Sequence, residues 1–92
     1  MGKYGDLAAK TAALLYALAK LQACVEGNKR IALLLVERFL VINGSRLRLQ
    51  PGELADMILA TAQAEPAVRE ETINMLTGWI RSRLESLPGG IS

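Results

Sequence analysis

The stretch IALLLVERFLVI, residues 31–42, decides the fold. It is apolar on nearly every side when wound as a helix, and it is too long for a typical strand. A helix of that kind is typical of the buried centre of a bundle. Asn43 and Gly44 follow, and glycine readily takes the left-handed conformation that ends helices. We therefore expect a helix over 31–42 at the centre of an all-α domain.

A second helix is predicted over about residues 6–21, on the N-terminal side of the central one. Asp6 is the expected N-cap, because its carboxylate can accept hydrogen bonds from the free amides of the first turn. The many alanines of this segment favour helix. The face expected to be buried comprises Leu7, Leu14, Leu15, Leu18 and Leu21.

Two more helices are predicted after the central one. The third follows Pro51, which sets φ for a first turn, and runs to about residue 64. Glu65-Pro66 ends it, because proline disfavours α geometry in the residue before it. The fourth covers about residues 67–86, and its expected buried face comprises Val68, Ile73, Leu76, Ile80, Leu84 and Leu87.

A short extended arm is predicted after the central helix, because residues 46–49 alternate arginine and leucine. Arg46 and Arg48 either grip a strand of a partner or form a solvated arm. The length of 92 residues fits one domain over 1–92, with 88–92 as a flexible tail. The predicted fold class is all-α: a small helical bundle of four main helices with this arm.

Composition excludes several kinds of site. The chain has no histidine, which rules out an imidazole base or zinc ligand within it. Its single cysteine, Cys24, rules out an internal disulfide. The net charge of +2 and 4 % aromatic content argue against direct nucleic-acid binding. The longest apolar run, residues 31–36, is far shorter than the roughly 20 residues of a membrane span, so we expect a cytoplasmic protein.

Residues 26–30, EGNKR, precede the apolar helix directly and carry the one pattern that indicates chemistry. The first amides of a helix lack intrahelical acceptors, and the helix dipole makes that end positive. Gly27 allows those amides to converge on an anion, and Lys29 and Arg30 add charge. The Glu26 carboxylate would repel a phosphate, unless it binds a Mg²⁺ ion that bridges to the phosphate oxygens. The alternative is a loop glycine, a first-turn acid and a solvated basic face.

The stretch from Gln22 to Gly44 resembles the Fic/Doc family, whose motif reads His-x-Phe-x-Asp/Glu-Gly/Ala-Asn-x-Arg. The likeness is greatest to the Doc (death-on-curing) branch, and it extends over most of the chain, to about Leu84. The matching residues are Glu26, Gly27, Asn28, Lys29, Arg30, Ala32, Leu33, Phe39, Leu40, Asn43 and Gly44.

The resemblance implies a phosphotransferase of a toxin–antitoxin pair. ATP or another nucleotide with Mg²⁺ would be the donor, and a hydroxyl of a translation elongation factor such as elongation factor Tu the acceptor. Gly27, Asn28, Lys29 and Arg30 would bind the phosphates, and Glu26 the metal. A Phd-like antitoxin would be the partner.

The chain departs from the family in its motif and in its length, and the departure in the motif bears on catalysis. Gln22 stands where the motif has its histidine, and a positioned base typically contributes about 10²–10⁴-fold to a rate. Cys24 stands where the motif has phenylalanine; it is either a nucleophile beside a helix N-terminus or a small buried residue. The chain also starts later than Doc-like proteins do. We therefore expect an inactive or weakly active relative.

A non-catalytic role is the alternative prediction. The apolar content of 51 % is high for 92 residues, and a family fold shortened at its N-terminus would expose apolar surface that another chain could cover. On this hypothesis the bundle is a helical interaction module that forms homo-oligomers or binds an antitoxin-like helix.

Overall fold

Four helices and a two-stranded ribbon make up the part of the chain that the structure describes. The structure is a computed structural model, and it describes residues 3–22 and 29–87. The helices are α1 (Lys3–Gln22), α2 (Lys29–Ile42), α3 (Glu53–Gln63) and α4 (Arg69–Arg83), with a 3₁₀ turn at Pro66–Val68 before α4. The strands are β1 (Ser45–Leu47) and β2 (Leu84–Ser86). The predicted fold class, a small all-α bundle with a short extended arm, is confirmed.

The helix at the centre of this bundle is α1, which packs against α2, α3 and α4. Its inward face carries Ala8, Ala12 and Ala19, each with no exposed surface. Small side chains let neighbouring helices approach closely, so one helix can contact three others. Thr11 lies on the same face, and its hydroxyl donates to the carbonyl of Leu7 at 2.7 Å. The buried hydroxyl is thereby satisfied inside the helix.

The predicted face of α1 is confirmed at Leu7 and Leu15, which are both buried. It is wrong at Leu21, which is 68 % exposed. Leu21 is two residues beyond the buried Ala19, or about 200° around the helix, and therefore faces outward. Asp6 is not the N-cap, because α1 already includes it.

The prediction that α2 is the buried centre of the bundle is wrong. Only one stripe of it faces inward, formed by Ala32, Val36 and Leu40, all of them buried. The alanine-lined α1 occupies the centre, so α2 lies at the edge and leaves its other side uncovered. The large exposed side chains of α2 are Ile31, Leu34, Leu35, Val41 and Ile42.

The end of α2 is where the sequence predicts it. Gly44 has φ of +74°, the left-handed conformation, and its amide donates to the carbonyl of Val41 at 2.9 Å. Asn43 reinforces this end, since its side-chain amide donates to the carbonyl of Phe39 at 2.7 Å. The turn directs the chain straight into β1.

The predicted arm is confirmed as β1, which pairs with β2 in an antiparallel ribbon where Arg46 faces Glu85. The prediction that the fourth helix reaches residue 86 is wrong, because Leu84 leaves the helix with φ −76° and ψ 135°. Two hydrogen bonds outside the strands extend the pairing. The amide of Arg48 donates to the carbonyl of Arg83 at 2.9 Å, and the amide of Leu87 donates to the carbonyl of Gly44 at 3.0 Å. Pairing with a distant strand thus replaces the last helical turn.

The third helix begins at Glu53, two residues after Pro51, rather than with the proline. Gly52 is the N-cap, in the left-handed conformation with φ of +85°, so Pro51 belongs to the preceding turn. The Glu53 carboxylate accepts from the amide of Gln50 at 3.0 Å and secures this start. At the other end the predicted break at Pro66 is confirmed by the 3₁₀ turn.

Lys20 ties α1 to the end of α3. Its ammonium donates to the carbonyl of Ala62 at 3.4 Å and to that of Ala64. These carbonyls lie at the C-terminus of α3, where acceptors lack intrahelical donors and the dipole favours a cation. The same ammonium lies 5.4 Å from the centre of the Tyr16 ring. The guanidinium carbon of Arg69 lies 5.5 Å from the centre of that ring.

The predicted face of α4 is confirmed in its middle, where Leu76 and Ile80 have no exposed surface. It is wrong at Val68, which is 40 % exposed. Val68 belongs to the 3₁₀ turn before α4 and does not continue the helical face. The expected flexible tail, 88–92, lies outside the described residues. Within the described ranges, no helix is long and apolar enough to cross a membrane.

Candidate functional site

The predicted anion site falls at the connection between α1 and α2. Glu26, Gly27 and Asn28 lie outside the described residues, and so does Cys24. The proposed Mg²⁺ ligand and two of the proposed phosphate ligands therefore have no geometry to report. In the parts of the chain with described side chains, no group of three or more Asp, Glu or Cys residues could hold a metal ion.

The helix ends beside this connection are described. Gln22 is the last residue of α1 and Lys29 the first of α2, although both side chains are outside the described part. Arg30 lies in the first turn of α2 with an exposed side chain. The first turn of α2 contains no acidic residue. Cations at the positive end of a helix dipole repel it, so an anion there would lower the electrostatic energy.

The most extensive exposed apolar surface among the described residues is the outer side of α2. We call the exposed residues Ile31, Leu34, Leu35, Val41 and Ile42 the α2 apolar face. Their spacing of three or four residues, with one gap, puts them on a single side of the helix. Leu34 is 61 % exposed and Ile42 is 73 % exposed.

Charged residues mark the middle of the α2 apolar face. Arg38 occupies the gap in the stripe, and Glu37 lies at its flank. Both side chains are exposed, and neither forms an ion pair with another described residue. Among the described residues, the face therefore carries a cation at its middle and an anion at its flank that have no ion-pair partner.

An apolar groove continues this surface toward the arm. It has a volume of about 420 Å³ and is enclosed by α2, the segment after it and the start of α3. Val41 belongs both to the groove and to the α2 apolar face, while Leu47, Leu49 and Leu54 form its other walls. The apolar surface is thus wider than one helix.

Sequence reasoning missed this surface. A run that is apolar all round carries no mark of which side will be covered. One signal was present: Glu37 and Arg38 interrupt the run, and charged residues are seldom buried without a partner. They indicate that at least one side of the helix reaches water.

Both arginines of the arm are exposed, and Arg46 is also paired across the ribbon. Arg46 Nε is 2.6 Å from Glu85 Oε2 across the ribbon. Arg48 Nε is 3.7 Å from Glu85 Oε1, beyond hydrogen-bonding distance. The neighbouring Arg83 places Nη1 2.9 Å from Glu53 Oε2. Three guanidinium groups thus gather at the end of α4.

Comparison with known proteins adds no relative: no family model matches the chain, and neither a curated protein nor a solved structure matches it.

Proposed function

We propose that this chain is a non-catalytic helical interaction module whose α2 apolar face packs against the same face of a second copy. The exposure of Leu34 and Ile42 on one side of α2 is the observation that carries the proposal. Fully burying a leucine or isoleucine side chain is worth about 1.5–3 kcal/mol. Contiguous apolar patches of this kind mark interaction surfaces on small proteins.

An antiparallel, two-fold arrangement matches the face to itself. With the axis at the middle of α2, Ile31 of one copy meets Ile42 of the other, and the symmetry repeats the contact. Arg38 lies at the level of Leu35 of the second copy. Its long side chain can pack on that leucine while its guanidinium reaches Glu37 of the second copy.

The charges favour a second copy over an unrelated apolar helix. In the antiparallel register Arg38 is offset along the helix by roughly 3 Å from Glu37 of the other copy and by roughly 4.5 Å from its Arg38, so the opposite charge is the nearer of the two. A parallel pair would set Arg38 against Arg38, and like charges in contact disfavour that arrangement. The antiparallel orientation therefore brings like charges less directly together than the parallel one does.

Sedimentation velocity over a range of protein concentrations tests the proposal. The wild type should pass from monomer to dimer as its concentration rises, with the modest affinity of a small interface. Leu34→Glu places a charge inside the face and should leave a monomer. Leu59→Glu is the matched control, since Leu59 is a 48 % exposed leucine on α3, outside the face. A wild type that stays monomeric to the highest concentration would refute the proposal, as would equal disruption by both variants.

A charge exchange tests whether the charges of residues 37 and 38 contribute to the dimer. Arg38→Glu should weaken the dimer, because it sets like charges against Glu37 of the second copy. Adding Glu37→Arg to that variant should restore association, because each copy then again carries one positive and one negative charge at residues 37 and 38. A double variant as weak as the single one would show that these two charges do not interact across the dimer.

A phosphate-binding role is the second candidate, favoured by the cations and the absence of acid in the first turn of α2. On this proposal the chain is a Doc-like protein that binds ATP with Mg²⁺ through Gly27, Asn28, Lys29 and Arg30, pairs with a Phd-like antitoxin, and transfers phosphate poorly because Gln22 cannot act as a base.

Thermal melting in ATP and Mg²⁺ tests this second candidate. A ligand at about 100 times its dissociation constant stabilises the folded state by about 2.7 kcal/mol. Arg30→Ala should abolish the shift, whereas Arg81→Ala, which removes an exposed cation at the other end of the fold, should keep it. Gln22→His should raise phosphate transfer to elongation factor Tu if only the base is missing. An unchanged melting temperature in ATP would refute the phosphate-binding role and leave the interaction module as the remaining candidate.

A further inference from the structure

A cavity lined by three arginines lies on the arm side of the molecule. Its volume is about 670 Å³, and its walls are residues 46–50 together with Ser82 and Arg83. The cavity is largely open to solvent, and its volume lies in the range of about 300–1,000 Å³ typical of small-molecule sites. The cavity lies beyond the C-terminus of α2. Arg30 is at the opposite end of that fourteen-residue helix, about 20 Å away at 1.5 Å per residue.

Positive charge exceeds negative charge at this cavity. Arg46 and Arg48 share the single carboxylate of Glu85, and only Arg46 is within hydrogen-bonding distance of it. Arg83 has the carboxylate of Glu53. Three guanidinium groups therefore face two carboxylates, and the donors of Arg48 are the least satisfied of the set.

Arg83 is also incompletely satisfied. Its Nη1 meets Glu53, but its Nε is buried without a hydrogen-bond partner. An unpaired buried donor is costly and calls for an explanation. Its guanidinium lies 5.4 Å from the centre of the Trp79 ring, so a turn of this side chain toward the cavity would change the surroundings of that ring.

We propose that this cavity binds a small organic phosphate, with its phosphate group held by Arg48 and Arg83. A guanidinium presents its donors as a planar fork that matches two phosphate oxygens. Arg48 supplies free donors from the arm, and Arg83 turns from the end of α4 so that its Nε finds an acceptor. Arg46 stays with Glu85 and adds to the positive potential. The ligand's organic part occupies the rest of the cavity. The site includes no residue of the α2 apolar face, although it shares Arg46, Leu47, Leu49 and Gln50 with the apolar groove.

Titration with glycerol 3-phosphate at constant ionic strength tests the site, with glycerol as the uncharged comparison. Calorimetry gives the affinity, and the fluorescence of Trp79, the only tryptophan of the chain, reports the turn of Arg83. The wild type should bind glycerol 3-phosphate saturably, with a change in Trp79 fluorescence, and should not bind glycerol.

Single charge removals locate the site. Arg48→Gln should weaken binding about tenfold or more, the usual effect of losing a hydrogen bond to a charged group. Arg81→Gln is the matched control: it removes the same charge from an exposed residue of α4 that does not line the cavity, and should change affinity by less than about twofold. Glu85→Gln should tighten binding, because it frees both arginines of the arm.

Several results would overturn the site. Equal weakening by Arg48→Gln and Arg81→Gln would mean attraction to net charge alone. Loss of binding in Arg30→Gln, with Arg48→Gln unaffected, would place the anion at the start of α2. A wild type that shows no saturable binding would refute the proposal outright.

Discussion

Lys20 shows how one side chain completes the polar bonding of a helix on another part of the chain. It reaches from α1 to the carbonyls of Ala62 and Ala64 at the end of α3, with its stem beside the ring of Tyr16. Those carbonyls have no donor within α3. The charge therefore acts on the stability of two helices at once.

Lys20→Met should lower the free energy of unfolding by about 1–2 kcal/mol, since hydrogen bonds from charged groups contribute about 1.5–3 kcal/mol and this group is only partly buried. Methionine keeps the apolar stem, so the loss isolates the ammonium. Urea unfolding measures it. Lys10→Met is the control, because Lys10 is exposed on the same helix and its loss should cost less than about 0.5 kcal/mol. Equal losses from both would show that Lys20 does not cap α3.

At the residue scale the sequence predicted what depends on local chemistry. Gly44 was expected to end the central helix, and its positive φ is a backbone preference that a single residue carries. Local chemistry does not explain why Leu15 is buried while Leu21 is exposed. Both satisfy a loose apolar pattern, and only the neighbours of α1 decide which side is covered.

At the element scale, helix existence was predictable and helix placement was not. The segment 31–42 was correctly predicted as helical, but a pattern that is apolar all round names no inward side. Residues 84–86 continue the helical pattern of α4, yet they form β2 because β1 offers hydrogen bonds from about 40 residues earlier. Such long-range pairing leaves no trace in local periodicity. The phosphate site predicted at 26–30 stays a prediction, and the α2 apolar face was unpredicted.

Two glycines test how backbone conformation ends or weakens a helix. A Cβ at Gly44 or at Gly78 would meet nothing within 4 Å, so any difference between the two substitutions comes from the backbone. Gly44 has positive φ and Gly78 does not. Gly44→Ala should cost about 1–2 kcal/mol, because alanine is strained in the left-handed region. Gly78→Ala should stabilise α4 by about 0.5–1 kcal/mol.

Thermal or urea unfolding of the two variants separates these effects, and helical content by circular dichroism checks that both remain folded. The opposite signs are the prediction. Destabilisation by both alanines would mean that Gly78 has a role that the open space around it does not show.

At the scale of the whole molecule, the central position of α1 governs cooperativity. Because α1 packs against each of the other helices, none of them can leave without exposing its face. The hydrophobicity of α2 predicted the wrong central helix. In the structure the small side chains of Ala8, Ala12 and Ala19 let three helices pack closely against α1.

Urea unfolding should therefore be a single transition. Far-ultraviolet circular dichroism reports all helices, and Trp79 fluorescence reports α4; their midpoints should coincide, as in two-state unfolding. Ala12→Leu should move both midpoints down together, by about 1–3 kcal/mol of overpacking. The exposed Ala13→Leu should move neither by much. Separate midpoints for the two signals would show that α4 unfolds on its own.

The ribbon joins the middle of the chain to a segment near its end, since the amide of Leu87 meets the carbonyl of Gly44. During synthesis the first three helices leave the ribosome before β2 exists. Until then β1 has no partner strand, and Arg46 and Arg48 have no Glu85. Contacts between distant positions also form slowly, because closing a long loop costs entropy. We expect pairing of β1 with β2 to be a late step in folding. Fragments released before residue 84 should expose an unpaired strand edge, which favours aggregation.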